Sequence, residues 1–190
     1  MKQLNLFDYS SNSINKQPII TMSQGSLENW KTKIFKYQQQ IITEKSSIEQ
    51  LTLFDLDSCS NRLSAENINP FALKLHNCEF YEHKPQQHDD SNCIYFIIDN
   101  NLPLLLYIGE SQNSPRKRWK GTHHCKNYIF NYIELHRQYK LEVAVVTAFY
   151  WDVPVEKKLR QQLESELIEK WRSPFNKESW KFWGQPFGKI

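Results

Sequence analysis

Glycine is scarce in this 190-residue chain, with only five residues, while Asn, Gln, Ser and Lys are frequent and the mean hydropathy falls to −0.67. The composition, 39% hydrophobic and 24% charged, remains that of a soluble globular protein. Long apolar runs are missing, which excludes a membrane-spanning helix, and the opening residues MKQLNLFDYSS lack the apolar stretch of a secretory signal. The expected location is the cytoplasm, with no membrane partner. Cysteine is sparse too. Cys59, Cys78, Cys93 and Cys125 contain no CxxC pair, which excludes a zinc ribbon and argues against a disulfide framework. The length suits one compact domain plus an appendage and is too short for two ordinary domains.

Neither sign of charge dominates, but the net charge of +3 is unevenly distributed. From Ser91 to Ile190 there are 15 Lys/Arg against 10 Asp/Glu, whereas residues 1–90 hold 9 against 11. The carboxy-terminal part is therefore the candidate for a polyanionic partner, the alternative being a solvated basic surface.

Residues 1–90 read as a polar extension. Residues 1–25 are rich in Ser, Asn and Gln; Ser26 is a candidate N-cap for one amphipathic helix over about 26–45, with Trp30, Ile34, Tyr37 and Ile41 on one stripe. Polar segments at Ser58 to Asn69 and Glu82 to Asn92 lead to a compact domain over residues 91–190. There CIYFII and LPLLLYIG are strands joined by Asp99-Asn100-Asn101, a hairpin signal. Ser114-Pro115 opens a short basic helix, and a longer helix carrying Tyr128, Ile129, Tyr132, Ile133 and Leu135 ends near Tyr139. LEVAVVTAFYW is a third strand, and a final helix runs from about Glu156 to Trp171. The order β-β-α-α-β-α, with three strands of which the first two are antiparallel, predicts a small α/β layer.

On the last helix Leu163, Leu167, Ile168 and Trp171 define the apolar face. At about 100° per residue Glu164 falls inside it, while Glu169 points the opposite way. A carboxylate there must be paired, protonated or bound to a cation. Arg160, one turn earlier, is the candidate for a purely structural pair.

Taken in order, IYFI (Ile94 to Ile97), LYIGES (Leu106 to Ser111), KRWKGTHH (Lys117 to His124) and LESELIEKWRSPFNKE (Leu163 to Glu178) resemble the GIY-YIG nuclease family over about half the chain. The Glu164-to-Asn176 spacing is similar to that in the nuclease domain of bacterial excision-repair incision enzymes. The run from YIGES to WKFWGQPF is similar to bacterial GIY-YIG proteins known mainly from cyanobacteria. The resemblance implies an α/β fold with a small three-stranded, mostly antiparallel sheet flanked by helices, and phosphodiester hydrolysis with one Mg²⁺ or Mn²⁺ ion, held by Glu164 as the sole protein ligand. It further implies Arg118 as a phosphate clamp, with Arg116 as its competitor, and Tyr95, or in second place Tyr107, as the group that orients and deprotonates water. His123 would share that proton and Asn176 would hold backbone or phosphate; Arg116, Lys117, Lys120 and Lys177 would contact DNA. The competing reading is a catalytically weak nucleic-acid-binding adaptor. Two departures from the family pattern stand out: Cys93 replaces the first glycine of the name-giving motif, and Glu110 puts negative charge directly after Tyr-Ile-Gly.

The extension holds a near-repeat, QLNLFD (Gln3 to Asp8) and QLTLFD (Gln50 to Asp55). Both resemble the QLxLF peptide that binds the bacterial β sliding clamp. The implied clamp-binding residues are Gln3, Leu4, Leu6 and Phe7 in the first copy and Gln50, Leu51, Leu53 and Phe54 in the second. The implied role is a nuclease acting on repair or replication intermediates.

Overall fold

The computed structural model describes residues 22–52, 65–77, 91–112 and 124–187. Helix α1 (Gln24–Thr52) is followed by two short 3-10 turns and strand β1 (Leu75–Asn77). Then come β2 (Cys93–Asp99), β3 (Leu104–Ser111), α2 (His124–Gln138), β4 (Val145–Tyr150) and α3 (Lys157–Trp171), and the chain closes with a 3-10 turn and the single-turn α4 (Trp180–Trp183). The expected basic helix near Ser114 lies outside the described residues.

The sheet has four strands rather than the three predicted, in the order β1-β4-β2-β3, with all neighbours antiparallel. The fourth is β1, whose three residues Leu-His-Asn pair with Val146 to Ala148. So short a run, with one apolar residue, carries no period-2 signal. β2 lies between β4 and β3 and is buried along its whole length, which explains its uninterrupted apolar sequence.

Side chains alternate about the sheet into two cores. One face carries Cys93, Tyr95, Ile97, Leu104 and Leu106 against α2, Phe175 and the first half of α1, including Leu27 and Ile34. The other carries Ile94, Phe96, Ile98, Leu105 and Ile108 against Leu163, Leu167, Ile168 and Trp171 of α3. Ile41 and Ile42 of α1 pack against this second core. Thus α1 passes from one layer to the other across the sheet edge formed by β3, and it is longer than the predicted 26–45 at both ends. Ser23 Oγ accepts the Ser26 N–H, so the serine before the helix takes the capping role expected of Ser26. No helix among the described residues is long and apolar enough to cross a membrane.

Candidate active site

β3 departs from regular alternation at one point, and the site is built around it. Ile97 faces Tyr107 across the β2–β3 ladder, but Ile98 faces Leu105, so β3 holds one extra residue in a bulge. Beyond it, Tyr107 shares a sheet face with Tyr95, and the ring centroids are 5.9 Å apart. Gly109 lies directly opposite Tyr95. A Cβ there would collide with the Tyr95 ring and hydroxyl and come within 2.8 Å of Tyr107 Cε1. The glycine of Tyr-Ile-Gly is therefore required by close approach of two rings. Tyr95 is fully buried, whereas Tyr107 is half-buried.

β3 is an edge strand, so its outward N–H and C=O groups need partners from elsewhere. Glu164, on α3, supplies one: its Oε1 accepts the Glu110 N–H at 3.0 Å. The carboxylate is half-buried, at the rim of the apolar face rather than within it, because it reaches past the sheet edge. Arg160 does not form the Glu164 pair anticipated above. Its Nε donates to Glu110 Oε1 at 2.6 Å, and its Nη1 donates to the carbonyls of Pro154 and Val155 just before α3. The unusual Glu110 thus has a buried cation of its own, while its backbone orients Glu164.

Asn176 uses its side-chain amide as a short mock strand. Oδ1 accepts the Ile108 N–H and Nδ2 donates to the Ile108 carbonyl, both at 2.9 Å. Ser173 Oγ donates to the same Oδ1 at 2.6 Å, and the Phe175 N–H serves the Leu106 carbonyl. Of the alternatives implied for Asn176, backbone or phosphate, these contacts are with backbone. Cys93 is fully buried, and burial, reinforced by the Glu110 carboxylate, pushes its thiol up to about 12. It stays protonated and acts as a small core residue.

Tyr95, Tyr107, Glu164 and Asn176 therefore converge on residues 107–110 of β3. Lys177, exposed, follows Asn176 directly. Arg116, Lys117, Arg118, Lys120 and His123 lie outside the described residues. Of the clamp-type residues, Gln50 and Leu51 fall in the last turn of α1, and Gln3, Leu4, Leu6, Phe7, Leu53 and Phe54 lie outside them. Two contributors had no sequence signal: Gln38, a polar residue beside the apolar stripe of α1, and the Arg160–Glu110 pair, whose partners are 50 positions apart.

The donor chemistry suits a magnesium-like ion. Glu164 offers a hard oxygen ligand on a half-buried side chain, and such an ion takes one or two carboxylates while keeping several waters. No group of three or more His, Cys, Asp or Glu that could hold a metal ion occurs among the described residues.

A family model described as the GIY-YIG catalytic domain matches residues 91–179. The match takes in β2, β3, α2, β4, α3 and Asn176, and stops short of α1 and β1. Neither the curated proteins nor the solved structures give a significant match.

Proposed function

From the match of residues 91–179 to a GIY-YIG catalytic domain, which implies a nuclease and hence a nucleic-acid substrate, we propose that the chain is a divalent-metal-dependent DNA endonuclease. The observation that carries the reading is the anchoring of Glu164 to the Glu110 N–H, one residue beyond the glycine packed under Tyr95 and Tyr107. A carboxylate from α3 and one phenol each from β2 and β3 are thereby held around residues 107–110 of β3.

In this reading Glu164 holds Mg²⁺ or Mn²⁺, which when bound supplies positive charge to the leaving oxygen. Tyr107, the second choice above but the phenol of the pair that keeps contact with solvent, orients the attacking water and accepts its proton as its own hydroxyl proton passes to His123, with Tyr95 packed beside it. His123 shares that proton, imidazole being the side chain whose unperturbed pKa, about 6.5, lies nearest neutrality. Arg118 clamps the phosphate through a planar fork that lysine does not reproduce. Arg116, Lys117, Lys120 and Lys177 hold the flanking backbone of DNA. Asn176 keeps β3 in place.

Purified protein incubated with branched, nicked and linear DNA in Mg²⁺ or Mn²⁺ tests this. Glu164→Ala should lower cleavage by about 100-fold or more, and Arg118→Lys should be severely impaired. Glu169→Ala, on the exposed face, should cut like the parent. Equal rates for both glutamate variants and the parent would remove the metal assignment, and DNA binding without cleavage by the parent would identify an adaptor.

The two QLxLF copies support a second part of the proposal, tethering to the β sliding clamp, which would deliver the nuclease to replication or repair intermediates. A clamp offers repeated pockets, so two linked copies gain avidity. Calorimetry of the clamp with the intact chain should show binding at tens of micromolar or tighter, lost when Leu6, Phe7, Leu53 and Phe54 are changed to Ala. No heat from the parent chain in that range would end the tethering idea.

A further inference from the structure

The residues matched to the catalytic domain begin at 91, yet part of the sheet edge that bears the site is closed from outside them. Around the β3 bulge, Phe175 serves the Leu106 carbonyl and Asn176 serves Ile108. The N–H and C=O of Leu105, just before the bulge, are met by Gln38 of α1. Its Oε1 accepts the Leu105 N–H at 2.9 Å, and its Nε2 donates to the Leu105 carbonyl at 3.0 Å and to the Trp171 carbonyl at 3.1 Å. Gln38 is fully buried, so each of these bonds replaces one that water cannot make. The neighbouring Tyr37 donates to the Lys170 carbonyl at 2.9 Å, so α1 also closes the carboxy-terminal end of α3, the helix that carries Glu164.

The position of Leu105 gives these bonds a consequence for the site. In an unbulged strand, side chains alternate, and Tyr107 would follow Leu106 onto the opposite face, into the layer of Leu105 and Ile108. The extra residue turns it back to the face of Tyr95. An amide side chain offers a separate donor and acceptor together to one residue's backbone, as Asn176 does on the far side of the bulge.

We infer that Gln38 is a positioning residue: from α1 it pins the β3 bulge that holds the Tyr107 ring beside Tyr95, and α1 is part of the working unit. The kinetic arm of the test rests on the nuclease reading above; the spectroscopic arm does not. The full chain is compared as parent, Gln38→Met, Gln38→Glu, Tyr107→Phe and the Gln38→Met/Tyr107→Phe double variant. In Gln38→Met, NMR should show the Tyr95–Tyr107 ring contact weakened and Leu105 amide exchange accelerated. Single-turnover cleavage should lose about 10- to 100-fold in kcat with KM within about two-fold, and the double variant should be no slower than Tyr107→Phe alone. Gln38→Glu, which keeps the length and the acceptor, should fall between parent and Met, and it carries the same comparison if the Met variant does not fold. An unchanged ring contact and Leu105 exchange would overturn the inference. So would losses that multiply in the double variant, or a lost contact with kcat unchanged. A parent that cuts nothing would sink the nuclease reading, and the NMR arm would then decide the role of Gln38 alone.

Discussion

At Gly109 a hydrogen atom in place of a methyl group is what lets two tyrosine rings share one sheet face. The Tyr-Ile-Gly triplet is legible as a motif, but its glycine has an ordinary extended backbone, and its necessity comes from the ring opposite. Gly109→Ala should therefore displace Tyr95 and Tyr107. The expected results are a loss of roughly 1–3 kcal/mol in urea denaturation, in the range of overpacked cores, and a cleavage defect larger than that stability loss explains. Parental stability and rate together would show that the rings tolerate a Cβ there. Glu164 was legible as an anomaly because a carboxylate next to a buried stripe needs a partner. Which partner it takes was not legible. The guanidinium one turn away is drawn off by Glu110, and the nearer bond comes from a backbone N–H across the sheet edge.

Among the elements, α1 shows how far periodicity reaches. The stripe of Trp30, Ile34, Tyr37 and Ile41 correctly marks a helix, but its most buried line is Leu27, Lys31, Ile34 and Gln38. Two of those four are polar, and no amphipathic pattern places them inside. Lys31 meets a buried cluster at the end of β2. Its Nζ lies 3.2 Å from Asp99 Oδ2 and 2.8 Å from His136 Nε2, and Tyr132 donates to the same Asp99 oxygen at 2.7 Å. The Asn101 and Ala144 N–H groups bond the other carboxylate oxygen and fix the hairpin turn. His136 Nδ1 lies 2.7 Å from the Tyr132 carbonyl and must donate to it, which leaves Nε2 to accept from the Lys31 ammonium. The imidazole is therefore neutral, and its pKa is lowered, chiefly by burial and further by the Lys31 charge. A histidine held below its unfolded value of ~6.5 binds fewer protons folded than unfolded. Its contribution is thus present above that value and is lost as pH falls below it. His76 on β1, also lowered by burial, acts in the same direction. Urea midpoints should rise between about pH 5 and about pH 7.5, and His136→Gln should rise less over the same interval. Equal rises would remove His136 from the effect.

For the molecule as a whole, the edges decide what can be removed. β3 is closed by side chains of α1, α3 and Asn176, and β4 is covered by β1. A chain beginning at residue 91 loses both α1 and β1, and with them Leu27 and Ile34 from the core, each worth about 1.5–3 kcal/mol of burial. It also exposes the β4 edge that β1 covers and leaves Leu105 of β3 without its Gln38 partner, opening surface from which strands pair between molecules. Such a fragment should melt without a sharp transition, bind a hydrophobic dye and elute as aggregates in gel filtration. A cooperative melt at the parent's temperature would show that the segment matched by the family model is self-sufficient.

The sequence by itself determined the elements whose signals are local. These are the two apolar strands and their Asp-Asn-Asn hairpin, the helices with their apolar stripes, and the order of Tyr, Gly, Glu and Asn residues that resembles a nuclease. Only the tertiary structure decided how those residues meet. The register slip that turns Tyr107, the choice of Glu110 as partner of Arg160, the short strand β1 and the reach of Gln38 to Leu105 all depend on groups brought together from distant positions. The physical reason is that an edge strand's unpaired backbone groups must be satisfied by whatever packs beside them. What packs there is set by the closed core and by no local pattern in the chain.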